Sequence, residues 1–326
     1  MKTVDREVSW KVYDVSVYGT LTAPITSEPR AAVVFVAGSG PTDRDWCSPF
    51  LPGTNGSGKL LAERLASQGF VTLRYDKVAS GPHVRENIPK LIGRISMKSH
   101  VEELRGAVET VVAEEIVDRN SVFALTNSEG AIHAVNYQLG GEKNRFKGLV
   151  LTGAPGRAVG EVSRGQILNQ VKYLPNGETM MRQYDEAVED FMADRPLRDE
   201  PLPDGNISLL IRSLRTPANL PFARELWSYS LPEYLTRVEE CMLVLIGKRD
   251  IQVDWKLDGD RLREAVGRRG LVSFAFPQYA NHVLKHEEMP VEKITVQYAG
   301  SHYNAPDAEL DEEAVDSILN WLKASA

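Results

Sequence analysis

The chain has 326 residues, long enough to bury about three quarters of its unfolded surface, so one large domain with an insertion, or two domains, needs no disulfide or metal staple. Hydrophobic residues make up 42% and charged residues 25%, the balance of an ordinary globular enzyme, which excludes a disordered or low-complexity class. The formal net charge of -7 comes without any Lys/Arg cluster and argues against a nucleic-acid partner, because phosphate recognition needs a concentrated positive field.

Residues 1–20 carry Asp5, Arg6, Glu7, Lys11 and Asp14 and lack the apolar core of a secretory signal, so a cytoplasmic location is expected. The β-branched and aromatic stretch 8–21 partly alternates, which predicts a hairpin at a sheet edge. Non-alternating apolar runs follow at 31–37, 70–75, 122–126, 148–152, 242–246 and 271–276, the pattern of strands buried on both faces of a parallel sheet. Between them, apolar residues at three- and four-residue spacing predict helices over 60–67, 101–116, 131–139, 262–266 and 314–322. Strands alternating with helices in this way imply a doubly wound, mostly parallel α/β sheet.

Residues 162–238 break the alternation. They contain helical stretches, prolines at Pro175, Pro196, Pro201, Pro203, Pro217 and Pro221, and no convincing strand. This segment reads as a helical cap inserted between two parts of a core, 1–161 and 239–326. Within it Met180, Met181, Tyr184, Val188, Phe191 and Met192 form one apolar helix face, expected to pack the cap onto the body in preference to touching substrate. No segment of the chain reaches the roughly 18 apolar residues of a spanning helix, so no membrane association is expected. Cys47 and Cys241 stand far apart without a neighbouring ligand pattern; reduced thiols are expected and a cysteine-based zinc site is excluded.

The most informative segment is Val122-Phe-Ala-Leu-Thr-Asn-Ser128-Glu-Gly130, where an apolar run stops at a serine and helical sequence follows. A nucleophile elbow has this layout, because the chain turns sharply from strand to helix and needs small residues where the two nearly touch. Gly130 supplies one such residue; Thr126 stands where the G-x-S-x-G pattern has its first glycine. A serine that merely caps a helix would fit the same triplet. In an open α/β sheet, reactive groups collect at the carboxyl ends of the strands. Asp250 follows the run 242–246, and His282 follows 271–276, so the chain order is Ser, Asp, His. A serine hydroxyl is a poor nucleophile until a base takes its proton, and the base works best when a carboxylate fixes its tautomer.

Beyond the elbow, the segments Gly38-Ser-Gly-Pro-Thr-Asp-Arg-Asp45, Leu73-Arg-Tyr-Asp-Lys77, Gly247-Lys-Arg-Asp-Ile-Gln-Val253 and Asn281-His-Val-Leu-Lys285 occur in an order and spacing that resembles bacterial serine α/β-hydrolases with a helical cap, of the carboxylesterase and prolyl-oligopeptidase-like kind. The resemblance covers most of the chain and is weakest inside the cap. It implies an α/β-hydrolase fold and a catalytic triad of Ser128, His282 and Asp250. It also implies an oxyanion hole made by the backbone N–H groups of Ser39 and Glu129, neither using its side chain. Ala37 departs from the His-Gly that often opens the oxyanion motif. Asp254, Asp258, His286 and His302 compete for the acid and base roles, but Asp250 and His282 stand nearest their strand ends and match the family positions. His133 reads as a helix-face residue, and His83 and His100 have no catalytic context. Asp43, Arg44, Asp45 and Asp76 read as ion-paired loop residues that hold the oxyanion loop.

The function that follows is cleavage of a small-molecule carboxylic ester through an acyl-enzyme, with no organic cofactor and no metal. A peptidase or amidase using the same triad is the alternative, with Glu178, Asp185, Glu186 and Glu189 as carboxylates able to pair with a peptide terminus. A hydrolase-fold binding protein would keep the pocket without turnover. The run Gly53-Thr-Asn-Gly-Ser-Gly58-Lys59 has the spacing of a Walker A loop, but Leu60 replaces its Ser or Thr and no strand precedes it, so a nucleoside triphosphatase is not expected.

Overall fold

Residues 1–198, 202–203, 205–267 and 270–326 are described by a computed structural model; Pro201 of the proline series lies outside them. The predicted N-terminal hairpin is present as β1 (Thr3–Val12) and β2 (Val15–Pro24), antiparallel and at the edge of an eight-stranded sheet. The buried runs give β3 (Arg30–Val36), β4 (Val71–Tyr75), β5 (Val117–Asn127), β6 (Gly148–Thr152), β7 (Cys241–Leu245) and β8 (Val272–Ala275). The strand order is β1-β2-β4-β3-β5-β6-β7-β8, and every pairing from β4 to β8 is parallel. Strand β8 corrects one expectation: it is not buried on both faces, because Ser273 is exposed and Val272 and Phe274 are half-buried. As the edge strand it has one neighbour, and Arg263 lies over the rings of Phe274 and Phe276, 5.1 and 4.5 Å from their centroids.

Alternation along β3 shows why the sheet is wound on both sides. Val33 and Phe35 join one core with Leu61 and Leu65 of α1 (Ser57–Ser67) and Ile318 and Leu322 of α12 (Glu312–Ser325). Ala32, Val34 and Val36 point the other way, to Leu104 and Val108 of α3 (Met97–Val112), Ile132 and Val135 of α4 (Gly130–Leu139), and Leu262 of α10 (Leu257–Val266). Two helices escaped the periodicity: α2 (Val84–Leu91), which holds Pro89 inside it, and α11 (Val296–His302). Both are short, and each shows too few turns for an apolar stripe to stand out.

Between β6 and β7 the chain runs through α5 (Val159–Val171), α6 (Gly177–Met192), α7 (Asn206–Leu214), α8 (Phe222–Trp227) and α9 (Leu231–Leu235), which form the inserted helical cap. Here a second expectation is corrected. Met181, Tyr184 and Phe191 do not face the body; with Ile167, Ile211 and Trp227 they make a core of the cap's own, and Met180, Val188 and Met192 pack on its rim. A stripe on one helix records that the face is buried, not which neighbour buries it. The cap is tied to the body instead by Leu231 and Leu235, which join the main core, while the Arg157–Asp258 ion pair at 2.7 Å anchors the loop that leads into α5.

The glycines of the Walker-like run serve packing. A side chain at Gly53 would run into the Asn304 carbonyl, and one at Gly56 into the Asp45 carbonyl. Cys47 and Cys241 are free thiols; burial, reinforced by Asp43, pushes the Cys47 thiol up to about 12. Among the described residues no helix is long and apolar enough to cross a membrane.

Candidate active site

At the end of β5 the chain turns into α4 through Ser128, whose φ of 53° lies in the left-handed region that L-residues rarely adopt. The turn is held by the Ser128 N–H, which donates to the Thr152 carbonyl of β6 at 2.8 Å. Gly130 is required because a Cβ there would meet the Val36 carbonyl of β3. Thr126 needs no glycine's freedom: it is still within β5, and its hydroxyl donates to the Val150 carbonyl at 3.1 Å. Its β-branch is therefore compatible with the elbow.

Asp250 lies in the loop after β7, buried, with both oxygens engaged. Its Oδ1 accepts the backbone N–H groups of Gln252 at 2.7 Å and Val253 at 2.9 Å, and its Oδ2 lies 2.7 Å from Nδ1 of His282. An anionic acceptor held by two N–H groups is strongly oriented. His282, in the loop after β8, is also buried. Gly153, at the end of β6, makes room for it, since a Cβ there would come within 3.1 Å of the imidazole Cε1. The elbow and the histidine loop are bound together by Asn127, which precedes the serine and donates its side-chain N–H to the His282 carbonyl at 2.9 Å. Among the described residues the Ser128 hydroxyl makes no hydrogen bond, so Asp250 and His282 are joined directly while Ser128 is joined to them through its neighbour.

The competing residues have other occupations. Asp254 accepts the N–H groups of Lys256 and Leu257, both at 2.9 Å, at the start of α10. Asp258 is fully buried against Arg157 and accepts the Gly156 N–H at 3.0 Å. His286 pairs with Asp311 at 3.1 Å, His302 is exposed at the end of α11, and His83 stacks on Tyr18.

After β3 the loop of Gly38 and Ser39 packs against the elbow: a Cβ on Gly38 would lie 2.9 Å from Asn127 Oδ1 and 3.4 Å from Ser128 Cβ. The backbone N–H groups of Ser39 and Glu129 have no partner among the described residues. Beneath this loop Arg44 donates through Nε and Nη2 to Asp76 at 3.0 and 2.7 Å, and Arg74 pairs with Asp45. These are the ion pairs expected of the loop. Asp43 is the exception, since it accepts the N–H groups of Asp45 and Cys47 and folds the loop on itself.

A buried charged cluster escaped the sequence reading. The Glu129 side chain is not idle: its Oε1 lies 3.0 Å from His133 Nε2 and 3.6 Å from Lys77 Nζ. His133 is 4.5 Å, ring to ring, from His100, which sits 3.0 Å from Glu103. His133 is therefore a helix residue on the buried side of α4, and His100 packs beside it. Burial works to raise the Glu129 carboxyl, but Lys77 and the His133 hydrogen bond outweigh it and hold the group well below the ordinary range. Burial, aided by His100, pushes His133 down to about 4. The Glu129/His133 pair has helical i, i+4 spacing and was readable as such; Lys77, Asn127 and Gly153 carried no local signal.

No family model matches the chain. Esterase EstD of Thermotoga maritima is 28% identical over 324 residues, covering 98% of this chain, which in turn spans 69% of that esterase. Among solved structures, the proline iminopeptidase of Mycobacterium smegmatis superposes with a TM-score of 0.56 at 14% identity, covering 98% of each chain. The 2,6-dihydroxy-pseudo-oxynicotine hydrolase superposes with a TM-score of 0.53 at 13% identity over 85% of this chain and 62% of its own. With the sheet order, the elbow geometry and the helical insertion after β6, these likenesses show that the chain has the α/β-hydrolase fold, in the form that carries an inserted helical cap.

Proposed function

We propose that the chain is a serine hydrolase that cleaves carboxylic esters of small molecules through an acyl-enzyme. Ser128 is the nucleophile, His282 takes its proton and returns it to the leaving group, and Asp250 fixes the imidazole tautomer and stabilises the imidazolium. The N–H groups of Ser39 and Glu129 receive the oxyanion. The observation that carries this reading is Asp250: its carboxylate is saturated by two backbone N–H groups on one side and by His282 Nδ1 on the other, which leaves Nε2 as the free base. In hydrolase sites the serine–histidine bond commonly tightens only when substrate is bound. The strained φ of Ser128 supports the nucleophile reading over a helix-capping one, because a cap residue has ordinary extended dihedrals. The 28% identity to an esterase supports the same choice.

A peptidase reading is disfavoured by the cap. Asp185 is paired with Arg164, Glu186 with Arg182, and Glu189 with Arg195 and Arg198, so three of the four carboxylates proposed for a peptide terminus are already neutralised. The test is hydrolysis of p-nitrophenyl acetate and butyrate beside amino-acyl p-nitroanilides, together with a fluorophosphonate probe mapped by peptide mass. Ester turnover with an adduct on Ser128, both lost in Ser128→Ala, is expected. Turnover that survives Ser128→Ala sinks the assignment, and anilides turned over faster than esters favour the peptidase.

A further inference from the structure

The buried cluster beside the elbow has one member that touches the oxyanion loop itself. Lys77 lies just past the end of β4, and β4 is paired in parallel with β3, so the segment after β4 runs beside the segment after β3. Its Nζ donates to the Gly38 carbonyl at 2.5 Å and lies 3.6 Å from Glu129 Oε1, with Lys77 only 6% and Glu129 only 4% exposed. The Gly38 carbonyl and the Ser39 N–H belong to one planar trans peptide, in which C=O and N–H point in opposite directions. Holding the carbonyl toward Lys77 therefore turns the Ser39 N–H away from it. The next carbonyl in the loop, that of Ser39, accepts the Thr42 hydroxyl at 2.8 Å, so the peptides on both sides of Ser39 are pinned. Glu129 is the residue whose own N–H is the second donor, and its side chain is fixed between Lys77 and His133.

We propose that Lys77 is a positioning residue for the oxyanion hole, one buried ammonium that sets the direction of both donor N–H groups through the Gly38 peptide and the Glu129 side chain. The proposal rests on the serine-hydrolase reading. A residue of this kind acts on the oxyanion formed when Ser128 Oγ adds to the carbonyl carbon and its proton passes to His282, and acts little on the uncharged ester. Its loss therefore lowers kcat and spares KM.

The test compares wild type, Glu129→Gln, and the double variant Lys77→Met with Glu129→Gln, which removes both buried charges at once so that neither is left unpaired. Circular dichroism establishes folding, and p-nitrophenyl butyrate gives kcat and KM. The double variant is expected to fall about a hundredfold or more in kcat, the scale of a lost oxyanion donor, with KM within about threefold. Glu129→Gln, in which Lys77 still holds Gly38, is expected to fall less. The second readout is affinity for hexyl trifluoromethyl ketone, which forms a tetrahedral adduct with the serine, against hexyl methyl ketone, which binds without one. The preference for the fluorinated ketone should shrink in the double variant. Equal kcat in Glu129→Gln and the double variant, with the ketone preference unchanged, overturns the role of Lys77. Should the double variant fail to fold, Lys77→Arg carries the test: its longer fork misplaces the donor, and an unchanged ketone preference there overturns the proposal. A wild-type protein that no fluorophosphonate labels at Ser128 overturns the hydrolase reading, and Lys77's role with it.

Discussion

The charged side chains around the candidate site and the acidic side chains that α6 of the cap presents to solvent are arranged on opposite plans. At the strand ends of the body, Asp250, His282, Lys77 and Glu129 are all buried, and each is oriented by backbone groups or by close buried partners. On the cap, Asp185, Glu186 and Glu189 meet Arg164, Arg182, Arg195 and Arg198 near the surface, in pairs that solvent screens. Pairs of the second kind contribute about 0–1 kcal/mol each, while a buried charge that loses its partner costs several. The difference teaches where fixed geometry is concentrated: the site holds charged groups in set directions, while the cap is built around an apolar core of its own.

The cap half of that comparison breaks first at Phe191, which is buried in the cap core and set edge-on to Trp227 at 6.2 Å between centroids. Phe191→Ala should cost about 3–5 kcal/mol of cap stability by urea denaturation. At temperatures where the variant stays folded, turnover of p-nitrophenyl acetate should change little. Loss of turnover at full stability would mean that the cap core reaches the chemistry directly.

The body half is sharpened by pH. His133 is depressed from 6.5 to about 4, so on acidification the unfolded chain takes up that proton before the folded one does. Its contribution is complete above about 6.5 and is lost as pH falls toward 4; Glu129, also depressed, acts in the same direction at lower pH. Wild-type stability should thus drop on the order of 2–3 kcal/mol between pH 7 and pH 4 on account of His133. His133→Gln, which keeps a donor toward Glu129 but cannot titrate, should show a flatter profile in urea midpoints. Parallel profiles would remove His133 from the account.

Legibility in the sequence followed the same division. The parallel strands were readable because burial on both faces writes unbroken apolar runs, and β6 was read to the residue; edge strand β8 was misjudged because the same composition serves a half-covered strand. The elbow and the Asp250 and His282 positions were visible because strand ends are where an open sheet gathers its reactive groups. Ser39 was reached only through resemblance. Of the cluster of Lys77, His100, Glu129 and His133, local spacing records only the Glu129/His133 pair, since the meeting of that pair with Lys77 and His100 depends on the sheet bringing the end of β4, α3 and α4 together. The cap stripe was legible as a buried face and silent about its partner.

The claim at the centre of this account is that Asp250, and not its neighbour Asp254, directs the base at His282. Asp250→Asn and Asp254→Asn should be compared by kcat/KM on p-nitrophenyl butyrate, with circular dichroism to confirm the fold. The Asp250 variant is expected to lose turnover by about ten-thousandfold, the effect of the equivalent change in a related triad. Asp254→Asn, which alters only the start of α10, should stay within about tenfold of wild type, in line with the loss of a helix-cap bond. A severe loss at Asp254 with near-normal turnover at Asp250 would contradict the account.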